Sequence, residues 1–259
     1  MLRLYKDLKI GYGLSVFFGV IFAVMLIWNT DTNVLWIYLF EILWFMGWDY
    51  LLTFAAIRRV NAVTALMNNQ CNISEFLSQT LALLGSAKGK NVKMLLTVNL
   101  AAGYLSLGDA DTALFHLQSI AINENKVQKK GRAMMITYYN NYALVYILKH
   151  DDNAAYEMLA KMRQQIDLAK LKPKAKQQFE MNYQLKRVRL NMRQGNYAGV
   201  EEYCIPLLQN SKMLLQQVCL CDILRDVYLH EGRTEEAEKC REFILQYGGD
   251  TYYVAKAKG

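Results

Sequence analysis

Two long apolar runs dominate the first part of the chain and predict two long helices. The first run, Ile10–Trp28, has no charged residue, and the second, Val34–Ile57, has only two acids, Glu41 and Asp49. Five polar residues separate the runs. A helix of 19 residues is about 28 Å long, close to the ~30 Å hydrocarbon core of a bilayer. Because backbone in lipid must satisfy its own hydrogen bonds, the pattern predicts a transmembrane helical hairpin.

The charges that flank these runs predict how the hairpin is oriented. Arg3, Lys6 and Lys9 precede the first run, Arg58 and Arg59 follow the second, and the turn between them has no Lys or Arg. Basic flanks stay in the cytoplasm. The prediction is an integral membrane protein, most simply of a bacterial cell membrane, with both termini and the remaining chain cytoplasmic. A cleaved signal peptide is the alternative for the first run, but a second apolar run follows at once and no cleavage pattern separates them.

The chain after residue 57 consists of predicted helices that share a repeated arrangement. It has only two prolines and no run of alternating strand pattern, and short Gly, Asn and Asp turns separate the apolar helical segments. In each copy an aromatic position is followed by a turn pair and then by a small residue. The four copies are Tyr104, Gly108, Asp109 and Ala113; Tyr146, His150, Asp151 and Ala155; Asn191, Gly195, Asn196 and Val200; and Tyr228, Gly232, Arg233 and Ala237.

Over roughly residues 94–247 this arrangement resembles the tetratricopeptide repeat (TPR) family. The small residue lets two helices approach closely, and the Gly takes the left-handed position that ends the first helix. The resemblance implies helix hairpins that stack into an α-solenoid, because one hairpin cannot bury its apolar face alone. The aromatic positions are 42, 45 and 37 residues apart, against a family period of about 34, so longer helices or connections are expected. Pro206 should kink or shorten the helix that contains it.

The remaining segments complete an all-α prediction. Residues 1–57 form the anchor, and 58–93 form a linking, degenerate helical hairpin in which Ser74 caps the second helix. No helix breaker lies between Ile57 and Leu66, so the second apolar helix is expected to continue into this hairpin without a break. The last helix should end at Gly248, which leaves 248–259 as a flexible tail.

The resemblance also implies a peptide-binding surface. In the TPR family the first helix of each hairpin lines a concave face that binds peptides. Amides on this face hold an extended backbone and cations hold carboxylates. A solvated, charged helix face is the alternative interpretation for the basic part of the set. By register, the positions are Asn99, Asn140, Asn141, Asn182, Lys186, Arg189 and Arg193.

The apolar runs carry a second set of candidate residues. Small residues recur at every fourth position of the first run, at Gly11, Ser15, Gly19 and Ala23. Such a stripe permits close helix packing, either with the second run of the same chain, which is preferred, or with a second copy or another membrane protein. Glu41 and Asp49 are either tolerated acids near the interface or a docking point for a polar partner.

Charge and cysteine usage limit the classes of partner. The chain has a net charge of +7, and since residues 1–57 contribute −1, the remainder carries +8. This charge suits anionic membrane lipid or an acidic peptide. Its most basic segment, residues 161–176, either faces lipid headgroups or is only a solubilising loop, which is the preferred interpretation. No nucleic-acid motif accompanies it, so nucleic acid is not an expected partner. The five cysteines, an odd number, predict buried free thiols and no disulfide framework.

No residue set in the sequence indicates catalysis. The three histidines form no metal-ligand pair, and phosphate-loop, dinucleotide and hydrolase motifs are missing from the sequence. No cofactor or metal is therefore expected. The predicted function is a non-enzymatic, membrane-tethered adaptor that binds a cytoplasmic protein or peptide on its solenoid. The alternative is an accessory subunit of a membrane transporter or secretion complex, recognised through the hairpin, with homo-oligomerisation through the same helices left open.

Overall fold

The computed structural model describes residues 6–29, 34–87, 89–122 and 131–259, and these ranges contain twelve α-helices and no β-strand. The predicted all-α class is confirmed. The side chains of some residues in the first two helices, among them Gly11, Glu41 and Asp49, lie outside the described set. The helices are α1 Lys6–Asn29, α2 Val34–Gln70, α3 Ile73–Ser86, α4 Lys90–Ser106, α5 Ala110–Gln118, α6 Arg132–Leu148, α7 Asp152–Leu168, α8 Pro173–Arg193, α9 Val200–Asn210, α10 Leu214–His230, α11 Thr234–Tyr247 and α12 Tyr252–Lys258.

The predicted transmembrane anchor is not found. Among the described parts of the chain, no helix combines the length and the apolar character that crossing a bilayer requires. The predicted spans at 10–28 and 34–57 and the integral-membrane location are therefore wrong, and the orientation argued from flanking charges fails with them. The apolar run from Val34 is part of a longer helix that passes through Arg58 and Arg59 and ends at Gln70.

The small-residue stripe of α1 lies against α2 of the same chain. The indole Nε1 of Trp44 donates to the carbonyl oxygen of Ser15 at 3.3 Å. A methyl group on Gly19 would lie 3.3 Å from the Trp44 ring, and Ala23, one turn further, is buried. The stripe thus permits a close α1–α2 approach, which is the preferred alternative from the sequence.

Helix α2 connects the apolar hairpin to the rest of the fold without a break, as predicted. Ala56 and Val63 belong to a buried cluster with residues of α3 and α4, including Phe76 and Leu100. The predicted Ser74 cap is wrong by two residues. Asn72 is the N-cap of α3, because its side-chain oxygen accepts from the Glu75 N–H at 3.1 Å.

The four predicted turns share one backbone geometry, which confirms the register of all four copies. Each turn residue has a positive φ: Gly108 at 84°, His150 at 61°, Gly195 at 81° and Gly232 at 74°. In each copy the carbonyl at the aromatic position accepts the N–H five residues later, at 2.8–2.9 Å. The acceptors are Tyr104, Tyr146, Asn191 and Tyr228. This closure satisfies orphan carbonyls at the end of the first helix, and it holds in the third copy although Asn191 is not aromatic.

Three of the four predicted hairpins are closely packed helix pairs, whereas α8 and α9 do not pack closely on each other and α9 packs on α10 instead. Helix α4 packs on α5, α6 on α7 and α10 on α11, while α6 also contacts α4, α5 and α8. Helix α9, which contains Pro206, has 11 residues, more than the 9 of α5 and fewer than the 17 of α7, so its length does not test the expected effect of the proline. Helix α7 is buried along one face, on which Leu159 and Ile166 lie.

The C-terminal part of the chain packs against its N-terminal part. Helix α10 packs against α2, and α12 packs against α10 and α11. One buried cluster joins Cys71, from the turn before α3, to Val218, Ile244 and Tyr253. The sequence predicted a flexible tail over 248–259, whereas residues 252–258 form a helix with Tyr253 and Ala257 buried.

Candidate groove between helices α8 and α10

The main cavity near the predicted binding residues is a groove of about 610 Å³ at the C-terminal ends of α6, α8 and α10, with α12 along one side. We call it the α8–α10 groove. Its wall includes a stacked pair, Tyr197 and His230, with ring centroids 3.9 Å apart and ring planes 9° apart. The lining residues are Ile147, Leu148, His150, Arg189, Met192, Arg193, Tyr197, Ile223, Asp226, Leu229, His230, Tyr252 and Lys256.

Arg193 connects the groove to the preceding hairpin. Its Nη1 donates to the carbonyl oxygen of Ile147 at 2.9 Å and lies 2.9 Å from the Asp152 carboxylate. Ile147 is in the last turn of α6, where a cation interacts favourably with the free carbonyls and the helix dipole. Arg193 therefore positions α8 against α6 as well as lining the groove.

A buried carboxylate organises the floor of the groove. Asp222 of α10 is 0% exposed and lies 3.0 Å from Arg189 Nη2 and 2.8 Å from Lys256 Nζ. Lys256 also contacts Asp226, the acid one turn further along α10, at 2.6 Å. Burying a carboxylate is costly unless it has partners, and Arg189 and Lys256 are the partners of Asp222 in this position.

Arg189 also contacts the terminal helix. Its guanidinium carbon lies 5.5 Å from the centre of the Tyr253 ring, and Nη2 lies 3.4 Å from the Tyr253 hydroxyl. A cation over an aromatic face in a partly dry site is attracted by the ring, by about 0.5–2 kcal/mol. Arg189 thus holds α10 through Asp222 and α12 through Tyr253.

A thiol and an ammonium group lie beside this cluster. Burial lowers the pKa of Lys186. Burial raises the pKa of the Cys219 thiol, but the nearby Arg189 and Lys186 cations lower it more, so that its pKa lies below the usual value. Arg189 Nη2 is 3.4 Å from the sulfur. Within the described ranges, no group of three His, Cys, Asp or Glu side chains has the arrangement of a metal site.

The structure separates the predicted binding residues into two groups. Arg189 and Arg193 line the groove, with Lys186 one turn before Arg189 on α8. Asn99 on α4, Asn140 and Asn141 on α6 and Asn182 on α8 are not among its lining residues.

The Asn141 amide is used within the protein. Asn141 is buried, and its Nδ2 donates to the Val98 carbonyl of α4 at 3.0 Å. Asn140 in turn donates to Asn141 Oδ1 at 3.3 Å. The Asn141 amide thus joins α6 to α4, whereas the Asn140–Asn141 bond lies within α6 and leaves the Asn140 Oδ1 without a hydrogen-bond partner among the described residues.

Sequence analysis missed Lys256, which lines the groove, and two buried residues that contact Arg189, namely Asp222 and Tyr253. Asp222 nevertheless carries a signal: it is the only acid in an otherwise apolar stretch, Val218–Leu224. An acid in such a stretch of a predicted buried helix requires a cationic partner. Nothing local indicates that this partner comes from a helix at the end of the chain.

Comparison with known proteins found no relative of this protein. No family model matches its sequence, and no curated protein or solved structure is similar to it.

Proposed function

We propose that the protein is a non-enzymatic adaptor that binds a peptide segment of a partner protein in the α8–α10 groove of a TPR-like solenoid. Support for the solenoid comes from the four equivalent turns and from the packing of each hairpin on its neighbour. Support for the site comes from its position, because the groove is lined by α6, α8 and α10, the first helices of successive hairpins. This is the surface that the TPR resemblance assigns to peptide binding.

One observation carries the proposal: a short helix of this chain, α12, packs along one side of the groove through an aromatic residue and a lysine. Helix α12 has seven residues, and Tyr253, which is 6% exposed, anchors it beside Arg189. Lys256, one turn later, contacts both acids of α10. An aromatic anchor with a flanking charge pair is the usual chemistry of a peptide interface, so the face is built to recognise a short segment.

The charges of the groove favour binding over catalysis in this proposal. Arg189, Arg193 and Lys256 are each held by carboxylates at 2.6–3.0 Å, which fixes their positions. Pre-organised charges give specificity and orientation to a partner. They do not form the nucleophile–base pair that covalent chemistry requires.

The experiment is a selection of peptides from a random display library on the full-length protein, followed by titration of each selected peptide by fluorescence anisotropy. Leu229→Glu alters the groove, and Leu168→Glu at the end of α7 is the control. The two leucines are 51% and 52% exposed, and only Leu229 lines the groove. We expect Leu229→Glu to weaken binding about tenfold, which corresponds to about 1.4 kcal/mol, and Leu168→Glu to have no effect. Equal affinities for the two variants would contradict the proposal.

A second candidate function is assembly through the α1–α2 hairpin, favoured by its exposed apolar face. Phe17, Phe18, Met25 and Trp28 are exposed on α1, and large exposed apolar patches mark interaction surfaces. Phe17→Asp should then reduce the mass of any assembly seen by light scattering, while Leu168→Glu leaves it unchanged. Unaltered mass in both variants would remove this candidate.

A further inference from the structure

The thiols of Cys221 and Cys240 form a pair that peptide binding does not use. Cys221 is on α10 and Cys240 is on α11, and these helices pack closely on each other. Cys221 belongs to a buried cluster with Ile244, and Cys240 packs against the same cluster. The two side chains share a hydrogen bond. We propose that this pair is a site of thiol–disulfide exchange, which reacts with a small disulfide such as oxidised glutathione and closes into a reversible disulfide between α10 and α11.

The different exposure of the two thiols assigns their roles. Cys240 is partly exposed, so a small disulfide in solution reaches it, whereas Cys221 is 4% exposed and is reached only from within the protein. Exchange goes through a mixed disulfide on the first sulfur, which the second sulfur then attacks. Cys240 is therefore the attacking thiol, and Cys221 is the thiol that completes the bond.

The surroundings of Cys240 favour its thiolate, which is the reactive form of a cysteine. The hydrogen bond with the Cys221 thiol lowers the pKa of Cys240, burial opposes this, and the nearby Arg225 guanidinium lowers the pKa further. Arg225 Nη2 donates to the Lys256 carbonyl at 3.3 Å, whereas its Nη1 is buried without a hydrogen-bond partner among the described residues. A cation with a free donor close to the sulfur stabilises the charge of a thiolate.

The reaction needs only the two cysteines and one small disulfide. The Cys240 thiolate attacks one sulfur of the small disulfide, its S–S bond breaks, and the first small thiol leaves with the proton that Cys240 has lost. The Cys221 sulfur then attacks Cys240, and its proton passes to the second leaving thiolate. Two electrons thus pass from the cysteine sulfurs to the small disulfide, which ends as two thiols. Cys221 is suited to the second step, because the hydrogen bond to Cys240 that chiefly raises the pKa of Cys221 weakens once Cys240 carries no charge.

The other three cysteines are less suited to this reaction. Cys71 and Cys204 are 0% exposed, and burial raises the pKa of Cys71 to about 11 and that of Cys204 to about 12. Cys219 is partly exposed, but its sulfur lies 3.4 Å from Arg189 Nη2. It is two residues before Cys221 on the same helix, so the two side chains point about 200° apart and cannot form a disulfide with each other.

The test treats the folded, full-length protein with oxidised glutathione and locates the products by mass spectrometry of non-reduced proteolytic peptides. We expect a disulfide between Cys221 and Cys240 that dithiothreitol reverses. Cys221→Ser removes the second thiol, so a glutathione adduct should accumulate on Cys240. Cys240→Ser should lose the disulfide and leave Cys221 unmodified. Cys219→Ser, a change of the same kind on the same helix, is the matched control and should form the wild-type disulfide.

Three results would overturn the inference. The first is a wild-type protein in which Cys221 and Cys240 both stay free thiols, and the second is a disulfide that joins Cys240 to Cys219 instead. The third is a glutathione adduct on Cys240 that is as abundant in the wild type as in Cys221→Ser, because Cys221 then does not attack the mixed disulfide. The wild-type result decides without any variant, so a serine variant that fails to fold does not weaken the test. Peptide binding enters none of these measurements, so the proposed function is tested separately.

Discussion

Gly249 lies where the C-terminal segment packs against the turn between α2 and α3, and Gly249→Ala tests how much this contact stabilises the fold. Its φ is +58°, in the left-handed region. A Cβ there would lie 2.9 Å from the carbonyl carbon of Cys71 and closer still to the carbonyl oxygen. Because these are backbone atoms in the turn between α2 and α3, neither side can move aside without separating the chain end from that turn.

The magnitude follows from the contacts that would be lost. An alanine in the left-handed region costs about 1–2 kcal/mol. Moving the segment away also removes the Asp250 carboxylate from the N terminus of α3, where it meets Ile73 and Ser74. Loss of such a cap costs about 1 kcal/mol. We therefore expect Gly249→Ala to lower the free energy of unfolding by about 3 kcal/mol.

Gly232→Ala is the matched control, assayed by urea unfolding followed by far-ultraviolet circular dichroism. Gly232 has a φ of +74° but open space where the Cβ would lie, so its substitution carries only the conformational cost of about 1–2 kcal/mol. The difference between the losses of unfolding free energy in the two variants measures how much the contact between the C-terminal segment and the α2–α3 turn stabilises the protein. If both variants lose the same stability, this closure contributes nothing and the reasoning is refuted.

Three further substitutions test other parts of the structure. His150→Gly should stabilise the protein by about 0.5–1 kcal/mol in urea unfolding, since His150 holds a φ of +61° where the other three turns have Gly; a loss of stability would contradict the shared turn geometry. Asp222→Ala should cost about 3 kcal/mol or more, because it leaves Arg189 partly buried without its carboxylate; a loss below about 1 kcal/mol would argue against the buried ion cluster. Burial raises the pKa of Asp250, but hydrogen bonds from Ser74 and Ile73 lower it further, to below its usual value. The stability that Asp250 contributes is therefore present at neutral pH and lost as the pH falls through the lowered pKa, so the difference from Asp250→Asn should shrink in acid; a difference constant with pH would contradict this.

The repeat turns were predictable because their signals are local. The turn residue four positions after the aromatic position takes the left-handed conformation, and in the first two copies the Asp that follows it caps the next helix. Asp109 and Asp151 accept N–H bonds at 2.9 and 3.0 Å, as such caps do. The register survives even where His150 replaces Gly, since the same backbone bond closes the turn.

The groove was only partly predictable because its contacts are distant in sequence. Arg189 and Arg193 were found from the register of one helix, but their partners come from elsewhere. Tyr253 is 64 residues after Arg189 along the chain. The tail is also short, and its helix packs against both α10 and α11, so its formation depends on contacts that are distant in sequence.

The apolar hairpin is the part of the chain for which hydropathy predicted the wrong environment. The run from Val34 to Ile57 was interpreted as a membrane span, but no described helix has the length and apolar character of a span. The continuation of this helix to Gln70, where it packs on α3 and α4, was predicted. Ser15 and Gly19 were correctly assigned to helix packing in the same chain, because small residues at a spacing of four indicate close approach in any environment.

The most direct test of the central claim is hydrogen–deuterium exchange of the full-length protein with and without a saturating peptide selected on it. The account predicts slower exchange in the segments of α6, α8 and α10 that line the groove. Protection confined to α1 and α2, with unchanged exchange in the groove segments, would contradict the proposed site.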